Sequence, residues 1–71
     1  MRDKARLDSF YNDFKEIHKK FPDWRFGQLI INFQRWCNSV KRIPDIFYLE
    51  EDECLTLLKE YSENVDLDIY Y

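Results

Sequence analysis

The sequence has very little glycine, proline, cysteine and histidine: one Gly, two Pro, two Cys and one His among 71 residues. The scarcity of glycine and proline excludes collagen-like and low-complexity chains, and a lone glycine cannot form a phosphate-binding loop. Two cysteines are too few to form the disulfide framework of a mini-protein, and they lack the CxxC pairs of a structural zinc site. No apolar run approaches the roughly 18 residues that a membrane-spanning helix needs.

Apolar and aromatic residues, in contrast, are plentiful: 45% of the chain is hydrophobic and 18% is aromatic. A chain of this length needs a well-packed core, because ordering it costs on the order of 100 kcal/mol of conformational entropy. The apolar pattern predicts a single all-α domain of three helices over residues 1–64. We expect a short extended segment before the third helix and a loose or β-like C-terminal tail at residues 65–71.

The first predicted helix covers about residues 3–20. Asp3 has the residue type of an N-cap, and Pro22 ends the helix because the residue before a proline is pushed out of the α region. Alternating steps of three and four place the apolar side chains on one face. These residues are Leu7, Phe10, Phe14, Ile17 and Phe21.

A second helix is predicted over about residues 24–40, with Asp23 as its N-cap. Gly27 lies in its first turn, where the missing side chain is expected to permit close contact with the first helix. The core stripe has Trp36 at its edge. The core stripe itself consists of Phe26, Leu29, Ile30, Phe33, Cys37 and Val40.

Residues 41–49 are predicted to connect to a third helix. Residues 46–49 favour β structure, so we expect an extended segment or a single edge strand there. Four acids at residues 50–53 begin the third helix at the positive end of its dipole, and the helix is expected to fray near residues 62–64. Residues 65–69 alternate with period two, which is compatible with a loose tail or with a strand paired to residues 46–49. The stripe of the third helix is Cys54, Leu57, Leu58 and Tyr61.

The net charge of −3 conceals two oppositely charged parts. Residues 1–43 hold ten Lys and Arg against five acids, whereas residues 44–71 hold one Lys against nine acids. We expect the two parts either to attract each other within the fold or to face different partners. Helix-dipole compensation does not explain the later acids, which we interpret as contacts to a basic partner; the alternative is that they serve solubility alone. They are Glu60, Glu63, Asp66 and Asp68.

Few residues are placed for catalysis or metal binding. His18, the only histidine, lies at the edge of the first stripe with no nucleophile near it, so we interpret it as a boundary residue. The acids at residues 50–53 lack the alternating oxygens, the glycine and the closing Glu of a calcium loop. We therefore predict a non-enzymatic protein without metal or cofactor. Cys37 and Cys54 are interpreted as small core residues in a reducing compartment, the cytosol of a host cell.

The outward face of the second predicted helix has the composition of a contact surface. Trp24 and Ile31, seven residues apart, are predicted to project away from the core stripe. An apolar pair within a polar rim is typical of interface centres. The alternative is that Trp24 packs beneath the connection at residues 41–49. The rim consists of Gln28, Asn32, Arg35 and Asn38.

Two short motifs occur along the chain. Residues 22–29 read PDWRFGQL and are followed by Asn32, and residues 47–50 read FYLE before the last acidic helix. In these motifs the chain resembles short uncharacterised open reading frames of bacteria and phages, which carry a PDxRxGQLxxN core and an FYxED stretch. The resemblance implies a three-helix unit with no assigned activity, encoded by a phage or another mobile element.

Three functions are compatible with these features. The preferred one is a protein that binds and inhibits a host nucleic-acid-handling defence complex, in the manner of an anti-CRISPR protein, with the acidic half taking the place of a nucleic-acid backbone. The second is a nucleic-acid-binding module that uses the lysines of the first helix, although acids interrupt their stripe. The third is a homodimeric adaptor or structural subunit. No membrane partner is expected.

Overall fold

Three α-helices and one short 3₁₀ helix form the fold over residues 3–64, the part of the chain that this computed structural model describes. The predicted all-α class with three helices is confirmed. The predicted tail at residues 65–71, with Asp66 and Asp68, lies outside the described residues. In chain order the elements are α1 at Ala5–His18, α2 at Phe26–Val40, the 3₁₀ helix at Ile46–Tyr48 and α3 at Glu51–Asn64.

α1 lies within the predicted limits. Oδ1 of Asp3 accepts a hydrogen bond from the backbone N–H of Ala5 at 2.9 Å, which satisfies one of the donors left open at a helix start. The helix ends at His18 and so stops short of Pro22. Along the predicted stripe, Phe14, Ile17 and Phe21 are buried, and Leu7 and Phe10 are partly exposed.

α2 begins at Phe26, later than predicted, and Asp23 is not its N-cap. The backbone N–H of Arg25 donates to Oε1 of Gln28 at 2.7 Å. A side chain at the third helical position that accepts from the N-cap residue forms one half of a capping box. The glutamine three residues after Arg25 therefore fixes where the helix begins.

The loop between α1 and α2 is closed by hydrogen bonds. The backbone N–H of Trp24 donates to the carbonyl of Phe21 at 3.0 Å. Nε2 of His18 lies 2.9 Å from the carbonyl oxygen of Trp24 and donates to it. Trp24 is therefore part of this loop and not of α2.

The buried face of α2 is narrower than the predicted stripe. Phe26 and Val40, expected in the core, are exposed, because they lie at the two ends of the helix. An added Cβ at Gly27 would meet no atom within 4 Å, so the expected close contact with α1 is wrong. The buried residues of α2 are Leu29, Phe33, Trp36 and Cys37.

The connection between α2 and α3 contains a 3₁₀ helix where an extended segment was predicted. Oδ1 of Asp45 accepts from the backbone N–H of Phe47 at 2.9 Å. The side-chain amide of Gln34 accepts from the N–H of Ile46 at 2.7 Å and donates to the carbonyl of Pro44 at 3.2 Å. Such side-chain bonds to the backbone compete with extended structure, and here they prevail over the β propensity of the segment.

α1 and α3 run side by side in the same direction. Arg6, near the start of α1, pairs with Glu51 at the start of α3 through an Nε–Oε1 distance of 2.6 Å. Lys20, just after α1, donates to Oγ of Ser62 in the last turn of α3 at 3.3 Å. α3 is helical through Asn64, so the predicted fraying at residues 62–64 is wrong.

α2 lies across the α1–α3 pair. Phe26 at its start packs edge-on against Phe14 of α1, with ring centroids 6.0 Å apart. Lys41, directly after its end, reaches Glu60 of α3 at 2.7 Å between Nζ and Oε1. The three helices therefore enclose one core.

The core of the described residues is a single cluster centred on Tyr61. Its ring centroid lies 5.7 Å from that of Phe33, 5.5 Å from Trp36 and 6.0 Å from Phe21. Of the predicted core, Phe10, Ile30 and Leu57 are only partly buried. The buried residues are Phe14, Ile17, Phe21, Trp24, Leu29, Phe33, Trp36, Cys37, Leu58 and Tyr61.

Among the described helices, none combines the length and the hydropathy that crossing a membrane requires.

Candidate interaction site

An apolar cleft of about 130 Å³ opens where α1, α2, α3 and the 3₁₀ helix meet. All nine of its lining side chains are hydrophobic, and the deepest of them, Phe33 and Leu58, belong to the buried core. The lining residues are Phe10, Tyr11, Phe14, Phe26, Ile30, Phe33, Ile46, Cys54 and Leu58.

Two exposed aromatic side chains form the rim of this cleft. Tyr11 of α1 is 59% exposed and Phe26 of α2 is 61% exposed. Both are held by other rings: Phe10 contacts Tyr11 edge-on at 5.0 Å, and Phe14 contacts Phe26 at 6.0 Å. Large aromatic side chains at the edge of an apolar depression are typical of binding hot spots.

A second pair of aromatic rings is exposed on the 3₁₀ helix. Phe47 and Tyr48 are each 79% exposed, the highest exposure among the large hydrophobic side chains of the described residues. Their ring centroids are 5.0 Å apart in an edge-to-face arrangement. They directly follow Ile46, which lines the cleft. These two residues and the rim residues Tyr11 and Phe26, together called the aromatic surface, are the exposed aromatic side chains of the described residues.

A basic groove of about 450 Å³ adjoins the cleft, with which it shares Tyr11 and Phe14. Lys15 and Lys19 are exposed along it, and Lys19 also pairs with Glu16 at 3.1 Å. His18 is half-buried there, with its ring bonded to the loop carbonyl described above. The interpretation of this histidine as a boundary residue is confirmed by its burial and contacts.

The structure exposes only part of the predicted contact face of α2. Ile31 is 51% exposed and lines a shallow groove of about 390 Å³ together with Gln28, Asn32 and Arg35. Trp24 does not belong to it, because its side chain is 4% exposed and stacks on Phe21 at 4.7 Å in the core. The prediction of an exposed Trp24–Ile31 pair is therefore wrong.

The predicted rim residues Gln28, Asn32 and Arg35 share one outward face with Ile31. Their role in binding a partner stays a prediction.

Part of the charge asymmetry is compensated within the fold. Two ion pairs, Arg6–Glu51 and Lys41–Glu60, join the basic first part of the chain to the acidic α3. Lys41 also lies 5.9 Å from the ring centroid of Trp36. Glu60 thus has a partner inside the chain, whereas Glu63 is exposed.

Both thiols are free, and neither is activated. Burial, aided by the nearby Cys54, raises the pKa of Cys37 from 9.0 to about 11. Burial and the Glu51 carboxylate raise the pKa of Cys54 as well. A thiol with a raised pKa is a poor nucleophile and a poor metal ligand, since both roles need the thiolate. Within residues 3–64 no three His, Cys, Asp or Glu residues form a group that could hold a metal ion.

The aromatic surface was not among the site residues predicted from the sequence. Tyr11 and Phe26 lie at the edges of the helical stripes, where spacing alone does not distinguish a core residue from a rim residue. Phe47 and Tyr48 belonged to a segment expected to be extended. The one signal available was their position in the short connection after Pro44, where consecutive aromatic residues are hard to bury.

No protein-family model, curated protein or solved structure matches this chain.

Proposed function

We propose that this chain is a non-enzymatic interaction protein that takes one large hydrophobic side chain of a protein partner into the aromatic cleft. The size and lining of the cleft support this proposal. An engineered cavity of roughly 150 Å³ lined by Leu, Ile and Phe holds one benzene molecule. The cleft, at about 130 Å³ and lined mainly by Phe, Ile and Leu, is close to that volume and so has room for about one ring.

The surroundings of the cleft favour a protein ligand over a small polar substrate. Tyr11 and Phe26 extend the apolar contact beyond the bound ring, and the core residues Phe33 and Leu58 give it a rigid floor. Burying a large hydrophobic side chain contributes about 1.5–3 kcal/mol. Raised thiol pKa values and the engaged ring of His18 support a role without catalysis.

A selection from a display library of random linear peptides tests the proposal. We expect the wild-type chain to enrich peptides with an aromatic or large aliphatic anchor. Tyr11→Ala and Phe26→Ala should bind those peptides roughly 30-fold more weakly, since truncating a hot-spot residue costs about 2 kcal/mol. Both side chains are mostly exposed, so the melting temperature should change little.

Ile31→Ala and Val40→Ala are the matched controls, because both remove an exposed hydrophobic side chain elsewhere on α2. They should bind the selected peptides as the wild type does. Enrichment of peptides without a hydrophobic anchor would contradict the proposal. Selected peptides that bind the rim variants as tightly as the wild type would contradict it too.

The more specific proposal places the partner in a host nucleic-acid-handling defence complex, with the chain encoded by a phage or mobile element and acting in the host cytosol. The resemblance in the PDWRFGQL and FYLE motifs and the acidity of α3 support it. In addition to the cleft, a partner of this class would contact the outward groove of α2 and the exposed Glu63.

Expression of the chain in bacteria that carry an active nucleic-acid-targeting defence system tests this. We expect a phage that the system restricts to plate with higher efficiency. Ile31→Asp together with Glu63→Lys should remove the effect without unfolding the protein, since both residues are exposed. Equal plating with and without the chain, across several defence systems, would argue against this partner class.

Nucleic-acid binding is the second candidate, favoured by the basic groove beside Tyr11. Lysines would contact phosphates there, and the exposed ring could stack on a base. Such binding weakens steeply with salt because counterions are released. Titration with a labelled single-stranded oligonucleotide at low and high salt separates this candidate from peptide binding in the apolar cleft, which depends less on salt.

A further inference from the structure

We infer that residues 65–69, which follow α3, bind along the outward groove of α2 in the same chain. The inference goes beyond the proposed function, because this groove and the cleft share no residue. It rests on three observations: a glycine that the fold leaves unexplained, the place where α3 ends, and the opposite charges of groove and segment. The groove consists of Gly27, Gln28, Ile31, Asn32 and Arg35.

Gly27 is the only glycine of the chain, and the described fold gives it neither a conformational nor a packing role. Its φ angle is not positive, so other residues can adopt its backbone conformation. An added Cβ would meet no atom of the described residues within 4 Å, and alanine would favour the helix more. Glycine is also used where another backbone must approach closely. The open space above Gly27 admits such an approach.

The groove has room and an apolar contact for an extended segment. Ile31 lies one turn after Gly27 and is 51% exposed, in a groove of about 390 Å³. Residues 65–69 read VDLDI, so apolar and acidic side chains alternate with period two. In an extended conformation this pattern directs the three apolar side chains to one side. That side would cover Ile31, and the backbone would lie over the glycine.

α3 ends next to the loop from which α2 begins. The ring of Tyr61 lies 6.0 Å from that of Phe21, which stacks on Trp24, two positions before α2. α3 ends three residues after Tyr61, at Asn64. Along α2, Ile31 lies about 7.5 Å beyond the first residue of the helix, and five extended residues span up to roughly 16 Å. The segment is therefore long enough to reach the groove.

The attachment to α3 favours this segment over a foreign one. A segment joined to its site by a short connection is present there at an effective concentration of roughly millimolar. Even a weak contact in the groove is then occupied for much of the time. A partner that uses the same groove would have to displace the segment first.

The charges of the groove and of the segment are opposite. α2 contains no acid, and its only charged residue is Arg35. Arg35 is exposed and takes part in none of the ion pairs within the described residues. Asp66 and Asp68 give the segment two negative charges, and charge complementarity orients a contact of this kind. The basic partner expected for these two acids would then be the chain's own α2.

Nuclear magnetic resonance of the full chain tests the place of binding. We expect nuclear Overhauser contacts between the methyl groups of Ile31 and those of residues 65–69. Their intensity should not change on dilution, because the contact lies within one chain. Methyl contacts to Tyr11 or Phe26 of the cleft in place of Ile31 would overturn the inference. Contacts that vanish on dilution would assign the groove to a second copy and would overturn it too.

Limited digestion with chymotrypsin measures how much of the segment is bound. Cleavage after Leu67 requires the released segment, so its rate follows the released fraction. We expect this cleavage to be at least about tenfold slower in the chain than in a free peptide of residues 65–71. Equal rates in the chain and in the peptide would overturn the inference.

Gly27→Ala separates binding of the segment from stability of the fold. The added methyl group has room in the described fold and favours the helix, so the melting temperature should not fall. Cleavage after Leu67 should nevertheless accelerate toward the rate of the free peptide, because the segment can no longer approach α2. Ile31→Ala should accelerate it as well. Val40→Ala, which truncates another exposed side chain of α2, is the matched control and should be cleaved as the wild type is.

A charge exchange tests the role of Arg35. Arg35→Glu should accelerate cleavage by up to about fivefold, the size expected of an exposed ion pair. Adding Asp66→Lys and Asp68→Lys to this variant should slow cleavage again, with each rate divided by that of the free peptide of the same sequence. A charge exchange that restores nothing would contradict the contact with Arg35. None of these results bears on peptide binding in the cleft, which the display selection measures separately.

Discussion

Replacing Phe33 with alanine is expected to remove roughly half of the protein's free energy of unfolding. Phe33 is fully buried and packs against Trp36 and Tyr61 at ring distances of 6.4 and 5.7 Å. Truncating a buried Phe costs roughly 3–5 kcal/mol through lost transfer energy and a residual cavity. A chain of this size has a total stability of roughly 4–10 kcal/mol. Helical circular dichroism with urea titration measures the loss.

Phe47→Ala is the matched control for this experiment. It removes the same side chain from a position that is 79% exposed, so the free energy of unfolding of the monomer should change by less than about 0.5 kcal/mol. Measurement at low protein concentration keeps any dimer from contributing to the difference. Equal stability of Phe33→Ala and wild type would mean that the buried face of α2 is misassigned.

Replacing Trp24 with alanine is expected to destabilise the protein almost as much. The side chain is 4% exposed and stacks on Phe21 at 4.7 Å. Truncating a buried Trp costs roughly 3–5 kcal/mol, and each kcal/mol lowers the melting temperature of a small domain by roughly 4–8 °C. Thermal melting should therefore show a drop of well over ten degrees, or no cooperative transition.

Ile31→Ala is the informative comparison for Trp24→Ala, because the sequence pattern placed both residues on one exposed face. Ile31 is 51% exposed, so its truncation should leave the melting temperature nearly unchanged. A Trp24→Ala variant that melts like the wild type would restore the exposed Trp24–Ile31 pair and contradict the packing described here.

The helices were predictable because their apolar residues recur at helical spacing over several turns. Phe14 and Ile17 in α1, and Leu29, Phe33 and Cys37 in α2, are buried as their spacing indicated. The position of Trp24 was not predictable in this way. It depends on where α2 begins, which is decided by the bond from Arg25 to Gln28, and a helix start shifted by two residues moves a side chain from one face to another.

The candidate site was harder to predict for a related reason. Phe26 and Phe33 are both apolar members of the same α2 stripe, yet one is 61% exposed and the other fully buried. The spacing of apolar residues gives the direction in which a side chain points. Whether that side chain is covered depends on how far the neighbouring helices extend. In the connection, the side-chain amide of Gln34 bonds to Pro44 and Ile46, which lie ten and twelve positions further along the chain. Local propensity cannot predict such a contact.

The parallel pairing of α1 and α3 has a consequence for how the chain folds. Helices joined by a short loop pair in opposite directions and gain their contacts locally, whereas the Arg6–Glu51 pair is separated by 45 positions in the sequence. Contacts between residues far apart in the sequence require the closure of a long loop, so we expect the docking of α3 on α1 to be a late step of folding. During synthesis α1 and α2 emerge from the ribosome before α3, with the faces that α3 covers still open to water. In that interval we expect the nascent chain to be recognised by chaperones that bind exposed hydrophobic segments.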